Sequence, residues 1–121
     1  MSASLRSFSR LRSKKMQHLY SAEQLEKIIN EATIYICACP AQVAKMVSKL
    51  RHLYEYQQNC LARESTDMNK EVHDRIALAT VEAHRIMEAC MQDILRIEGW
   101  NPETLKMPDN LRELLIREAM E

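Results

Sequence analysis

The fold turns on one stretch, Pro40 to Gly99, PAQVAKMVSKLRHLYEYQQNCLARESTDMNKEVHDRIALATVEAHRIMEACMQDILRIEG. It reads as two long amphipathic helices folded back on each other, broken near Arg63-Glu64-Ser65-Thr66-Asp67. In the first arm Val43, Met46, Leu50, Leu53 and Cys60 recur at spacings of three and four, with Gln57 where one more apolar residue was due. That is a helical seam, narrow enough to pack on a partner helix. In the second arm Val72, Ile76, Ala79, Ala83, Ile86, Cys90, Ile94 and Ile97 do the same, and Met87, Met91 and Leu95 widen the stripe on one flank. So wide a face has to meet more than one neighbour. Neither arm holds an internal Gly or Pro, and good helix formers fill most of both.

Working outward, Ser21 and Gln24 form a capping-box pattern that starts a first helix, with Ala22, Leu25, Ile29, Ala32, Ile36 and Cys39 as its buried row and Ile28 beside them. Pro40 disfavours the α region at Cys39, so this helix is expected to end near Cys37 or Ala38, with Pro40 in the first turn of the next. Ser65, Thr66 and Asp67 are all competent N-caps for the second arm. That arm stops at Gly99, where a positive φ ends a helix and Trp100 folds back on Leu95. After Asn101-Pro102 and Pro108, a short helix from about Asp109 or Asn110 uses Leu111, Leu114, Leu115 and Met120. Its apolar face must dock on the hairpin or on another chain.

The fold class predicted is all-α: an antiparallel helical bundle, a long central helical hairpin with an N-terminal helix and a short C-terminal one. Residues 21–121 make a single domain, and the 121 residues, 5% aromatic, carry enough apolar material for a modest core. Residues 1–20 form a basic, Ser-rich tail: Arg6, Arg10, Arg12, Lys14 and Lys15 all precede the first acidic residue, Glu23. Its composition suits a flexible terminus, a mitochondrial targeting segment with Leu5, Phe8 and Leu11 on one face, or an electrostatic arm onto phosphates. Lys and Arg number 17 against 17 Asp and Glu, so outside that tail nothing argues for nucleic acid. No apolar run is long enough to span a membrane, and no secretory signal is present, so the expected compartment is the cytoplasm, or the mitochondrial matrix if the tail targets.

Chemistry, if present, lies where soft residues meet in space. An antiparallel hairpin turning near Ser65 sets position 60 opposite about 71 and position 41 opposite about 90. Cys90 thereby falls beside Cys37 and Cys39, with Met46, Met87 and Met91 at the same end. Three thiols near thioethers are a ligand set for copper(I) or zinc, or a dithiol switch. Each of these residues is also ordinary core filler, and C-x-C is a weak metal signal. His73 and His84, eleven residues apart, share one flank of the second arm but lie ~16 Å apart along it, so they cannot hold one ion within a chain. His73 is placed to meet Cys60, and His84 to face Val47 and Arg51. Ala83-His84-Arg85-Ile86 resembles the phospho-acceptor stretch of histidine phosphotransfer domains, also helical bundles of about this size. That motif continues with Lys and Gly where this chain has Met87 and Glu88, so the resemblance lacks the cation that steadies a phosphoryl group.

With one Gly there is no phosphate-cradling loop, and no nucleophile stands with a base in a recognisable motif. The expected function is therefore a non-enzymatic helical protein-interaction module without a cofactor, associating with itself or another protein, most simply as a homo-oligomer through Leu111, Leu114 and Leu115. Gln57 in the seam is the kind of polar residue that fixes register or oligomer state. The alternative is a soft-metal or redox-sensing bundle built on Cys37, Cys39 and Cys90.

Overall fold

The computed structural model describes residues 16–35, 38–63 and 67–120. Within them the chain is an all-α bundle built on a helical hairpin, with four helices and no strand. They are α1 (Ala22–Ile34), α2 (Ala38–Arg63), α3 (Asp67–Glu98) and α4 (Asp109–Met120). The candidate caps Ser65 and Thr66 lie outside the described residues, and α3 begins at Asp67. Two compact units divide the chain, one built on Lys49–Ile86 and the other on His18–Ser48 with Met87–Glu121.

In the second of these units, the start of α1 follows its sequence signal closely. The Gln24 N–H donates to Ser21 Oγ at 3.0 Å, while the Ser21 N–H donates to Gln24 Oε1 at 2.8 Å. Two otherwise orphaned donors of the helix start are satisfied by this exchange. Leu25, Ile28 and Ala32 are the residues α1 buries, so the row centres on Ile28, with Ile29 half-buried and Ala22 exposed. The helix ends at Ile34, a turn short of the expected place. Pro40 is buried in the first turn of α2, where its missing N–H costs no helical bond.

The core of this unit joins Leu25, Ile28 and Ala32 to Ala41, Ala44 and Val47 of α2 and to Met91 and Leu95 of α3. Small residues on α2 let the neighbouring helix approach. Gly99 closes α3 at φ 78°, where the Trp100 N–H donates to the Leu95 carbonyl at 2.9 Å and the Gly99 N–H to that of Arg96 at 3.1 Å. This double bond pattern is a Schellman cap, and Trp100 and Leu95 are buried together in the core beneath it. The following loop is tied by Asn101, whose Oδ1 accepts from the N–H groups of Glu103 (2.8 Å) and Thr104 (3.0 Å). The fold of this loop holds Leu105 at φ 58°, an uncommon conformation for a residue with a side chain, and sinks Leu105 and Met107 into the core.

Helix α4 buries no residue completely. Leu111 and Leu115 are half-buried against the core, and Arg112 pins the helix by donating from Nε to the Met107 carbonyl at 3.0 Å, its guanidinium stacked 5.7 Å over the Tyr35 ring.

Candidate functional site

In the unit built on Lys49–Ile86, burial and apolarity part company. Its buried residues include Arg51, Gln57, Thr80 and His84 alongside Cys60, Ala77 and Leu78. Three of the polar ones are paired across the hairpin. Arg51 Nε donates to His84 Nε2 at 3.0 Å, and His73 Nδ1 lies 2.6 Å from Gln57 Oε1. Because a guanidinium only donates, His84 Nε2 is the acceptor of this bond. The expected antiparallel pairing of the arms is thus met, His84 against Arg51. His73 meets Gln57, one turn of α2 before the expected Cys60. Thr80 turns its hydroxyl back to the Ile76 carbonyl at 2.7 Å, the usual solution for a buried threonine in a helix.

Several of the residues expected to form the apolar seam face outward instead, although Cys60 is buried. On α3 Val72 is 51% exposed and Ile86 52%, Ala79 is exposed, and Ile76 and Ala83 are half-buried. On α2 the seam residue Leu53 is exposed, as is Tyr56 outside the expected row. At 3.6 residues per turn, the row Val72, Ile76, Ala79, Ala83, Ile86 lies roughly a third of a turn round α3 from the buried row Ala77, Thr80, His84. The alternation of four and three along it is the heptad spacing of a helix that packs on another helix. At its edge Arg85 pairs with Glu82 one turn back, and that bond holds the Glu82 carboxyl below the usual carboxylate range.

His84, with 1% of its surface exposed and Nε2 taken by Arg51, has no open path to a phosphoryl donor. The geometry therefore adds nothing to the partial likeness of its surrounding stretch to histidine phosphotransfer domains.

In the other unit, a buried acid does structural work that the sequence pattern did not flag. Glu88, 2% exposed, accepts through Oε2 from the N–H groups of Leu19 (2.8 Å) and Tyr20 (3.1 Å). The last residues of the basic tail are therefore tied to α3 just before α1 begins. Burial of the Tyr20 phenol, with the Glu88 charge nearby, pushes its pKa above the ordinary value. Tyr20, Gln92, Arg96, Trp100, Pro102 and Leu105 border a mainly apolar cleft of about 370 Å³.

The thiols are dispersed in environment. Cys39 is exposed, Cys90 half-buried and Cys60 buried, all three free, while Cys37 lies outside the described residues. Among the described residues no three His, Cys, Asp or Glu side chains converge as metal ligands do. Of the candidate interface leucines, Leu111 and Leu115 pack on their own core and Leu114 is 48% exposed. No helix among the described residues is long and apolar enough to cross a membrane. No family model, curated protein or solved structure matches the chain.

Proposed function

We propose that the protein is a non-enzymatic helical interaction module that self-associates through the outer face of its hairpin. The observation that carries this reading is the heptad row of α3, Val72, Ile76, Ala79, Ala83 and Ile86, exposed or half-buried in a unit whose buried residues include Arg51, Gln57, Thr80 and His84. Burying a Val or Ile side chain is worth about 1.5–3 kcal/mol, so a row of them left in water is free energy that association recovers. Leu114, exposed beside two docked leucines, is a second apolar point on the surface.

The test is sedimentation equilibrium of the full chain and of Ala79→Glu, with Gln58→Glu as a charge control at an exposed site on α2. Ala79 is exposed and Glu is a good helix former, so helicity is retained. The native chain and the control are expected to be oligomeric, and Ala79→Glu to associate at least about 100-fold more weakly, because a charge would be buried in the contact. A native chain that stays monomeric at high concentration removes the reading.

A further inference from the structure

We infer that the occupant of the α3 face is the same face of a second copy, packed antiparallel about a two-fold axis between Ala77 and Leu78. The inference rests on the self-association reading and specifies its geometry. It follows from the order of large and small residues and of charges between Asn69 and Ile86, a segment about 27 Å long at 1.5 Å per residue.

Along the row two large residues, Val72 and Ile76, are followed by two small ones, Ala79 and Ala83, and then by Ile86. Facing helices pack closely when large side chains meet small ones across the contact. The antiparallel alignment centred between Ala77 and Leu78 does this in its four central layers. Ile76 lies against the partner's Ala79 and Val72 against the partner's Ala83, each layer repeated by the two-fold. On the flank of the same alignment Arg75 falls opposite the partner's Glu82, again twice. Arg75 is exposed and already engaged within its own chain, though its guanidinium has five N–H donors to share, and Glu82, half-buried, is bonded to Arg85. A carboxylate has about four acceptor directions, so Glu82 has capacity for both cations.

The neighbouring alignments fail on the same two criteria. Sliding one heptad one way sets Glu82 against the partner's Glu82 and Ala79 against the partner's Ala83. Sliding the other way sets Arg75 against the partner's Arg75. Like charges in direct opposition are destabilising, and facing alanines beside facing isoleucines leave gaps. A parallel pair stacks Ile86 on the partner's Ile86 and Ala79 on the partner's Ala79, and brings no opposite charges together. The chosen alignment has one polar layer, Asn69 against the partner's Ile86, at each end of the contact. Polar residues are cheapest at such a rim.

The experiment uses three single-cysteine additions to the full chain: Val72→Cys, Ala83→Cys and Ile86→Cys. After mild oxidation, an equal mixture of the Val72→Cys and Ala83→Cys chains is expected to give a disulfide-linked dimer well above that of either variant alone or of the native chain. In this alignment residue 72 is eleven positions, or about 16 Å, from the partner's 72, too far for a disulfide. A dimer linked by Ile86→Cys alone, without a mixture-specific product, means a parallel pair and overturns the inference while leaving self-association standing. Arg75→Glu is expected to weaken the dimer about tenfold and Arg75→Glu with Glu82→Arg to restore it. Failure of the double reversal to recover any affinity also overturns the alignment. A native chain that sediments as a monomer takes the self-association reading down with it.

Discussion

The Arg51–His84 pair offers the sharpest check that the hairpin interior is polar by design. Replacing Arg51 by Met keeps most of the buried stem but removes the donor 3.0 Å from His84 Nε2, at a site with 1% exposure. A buried acceptor stripped of its donor costs about 1–3 kcal/mol. Replacing His84 by Leu takes the acceptor away from the buried guanidinium, with a cost in the same range or above it. Replacing both leaves an apolar contact of similar volume, which is nearly neutral in well-packed interiors. The double variant should therefore be more stable than the sum of the single losses by about 2 kcal/mol. Urea unfolding followed by far-ultraviolet circular dichroism, at one fixed protein concentration, measures all four chains. With a slope of about 2 kcal/mol/M, that coupling is a midpoint difference of about 1 M. Additivity within about 0.5 kcal/mol would refute the idea that the two side chains satisfy each other across the hairpin.

Three further outcomes follow from the other unit. Ser21→Ala removes the Oγ acceptor of the capping box, leaving the backbone N–H bond to Gln24 Oε1, and should cost about 1 kcal/mol in the same urea assay, with Ser21→Asp close to native. Tyr20 has a raised pKa, so its neutral form is favoured in the folded state; its contribution is complete below the unfolded value near 10 and is lost as pH rises through the folded value. Tyr20→Phe should accordingly flatten the alkaline limb of the stability curve, and an unchanged limb would contradict the assignment. Leu115→Ala should destabilise the fold by about 1–3 kcal/mol because Leu115 packs on the core, whereas Leu114→Ala should leave the midpoint within about 0.5 kcal/mol.

The signals that were legible in the sequence are local ones. Ser21 and Gln24 set the start of α1 through bonds three residues apart, and Gly99 with Trp100 set the end of α3 through bonds to Arg96 and Leu95. The absence of breakers through both arms gave the hairpin. The depth of individual residues was less legible, because α3 carries two rows of near-equal regularity. One is apolar throughout, Val72 to Ile86 and on to Cys90, and the other contains Thr80, His84 and Glu88. Periodicity favours the first as the buried row; the chain buries the second. What decides between them is pairing with residues far along the chain, Arg51 for His84 and Gln57 for His73, which a pattern within one helix does not contain. Glu88 escaped notice for the same reason, since its partners are the Leu19 and Tyr20 backbone nearly seventy residues away. The left-handed Leu105 had no glycine to announce it; Asn101, bonding three backbone groups of its own loop through Oδ1 and its carbonyl, imposes it.

The mismatch between pattern and burial is itself the functional argument. A helix that needed only to close its own hairpin would place its most regular apolar row inward and leave Thr80 and His84 to water. Here each buried polar group must be matched by a partner of the right geometry, and matching contributes less net free energy than apolar burial of similar volume. Such an interior gives specificity of pairing between the two arms more than stability. It also frees the apolar row for the outside, where it can do what a polar surface cannot, which is to hold a second helix along its length. The two features are therefore one arrangement. If the outer row is made polar and the protein loses only its association, the division of labour holds: Arg51, Gln57, His73 and His84 register the hairpin, and Val72 to Ile86 engage the partner.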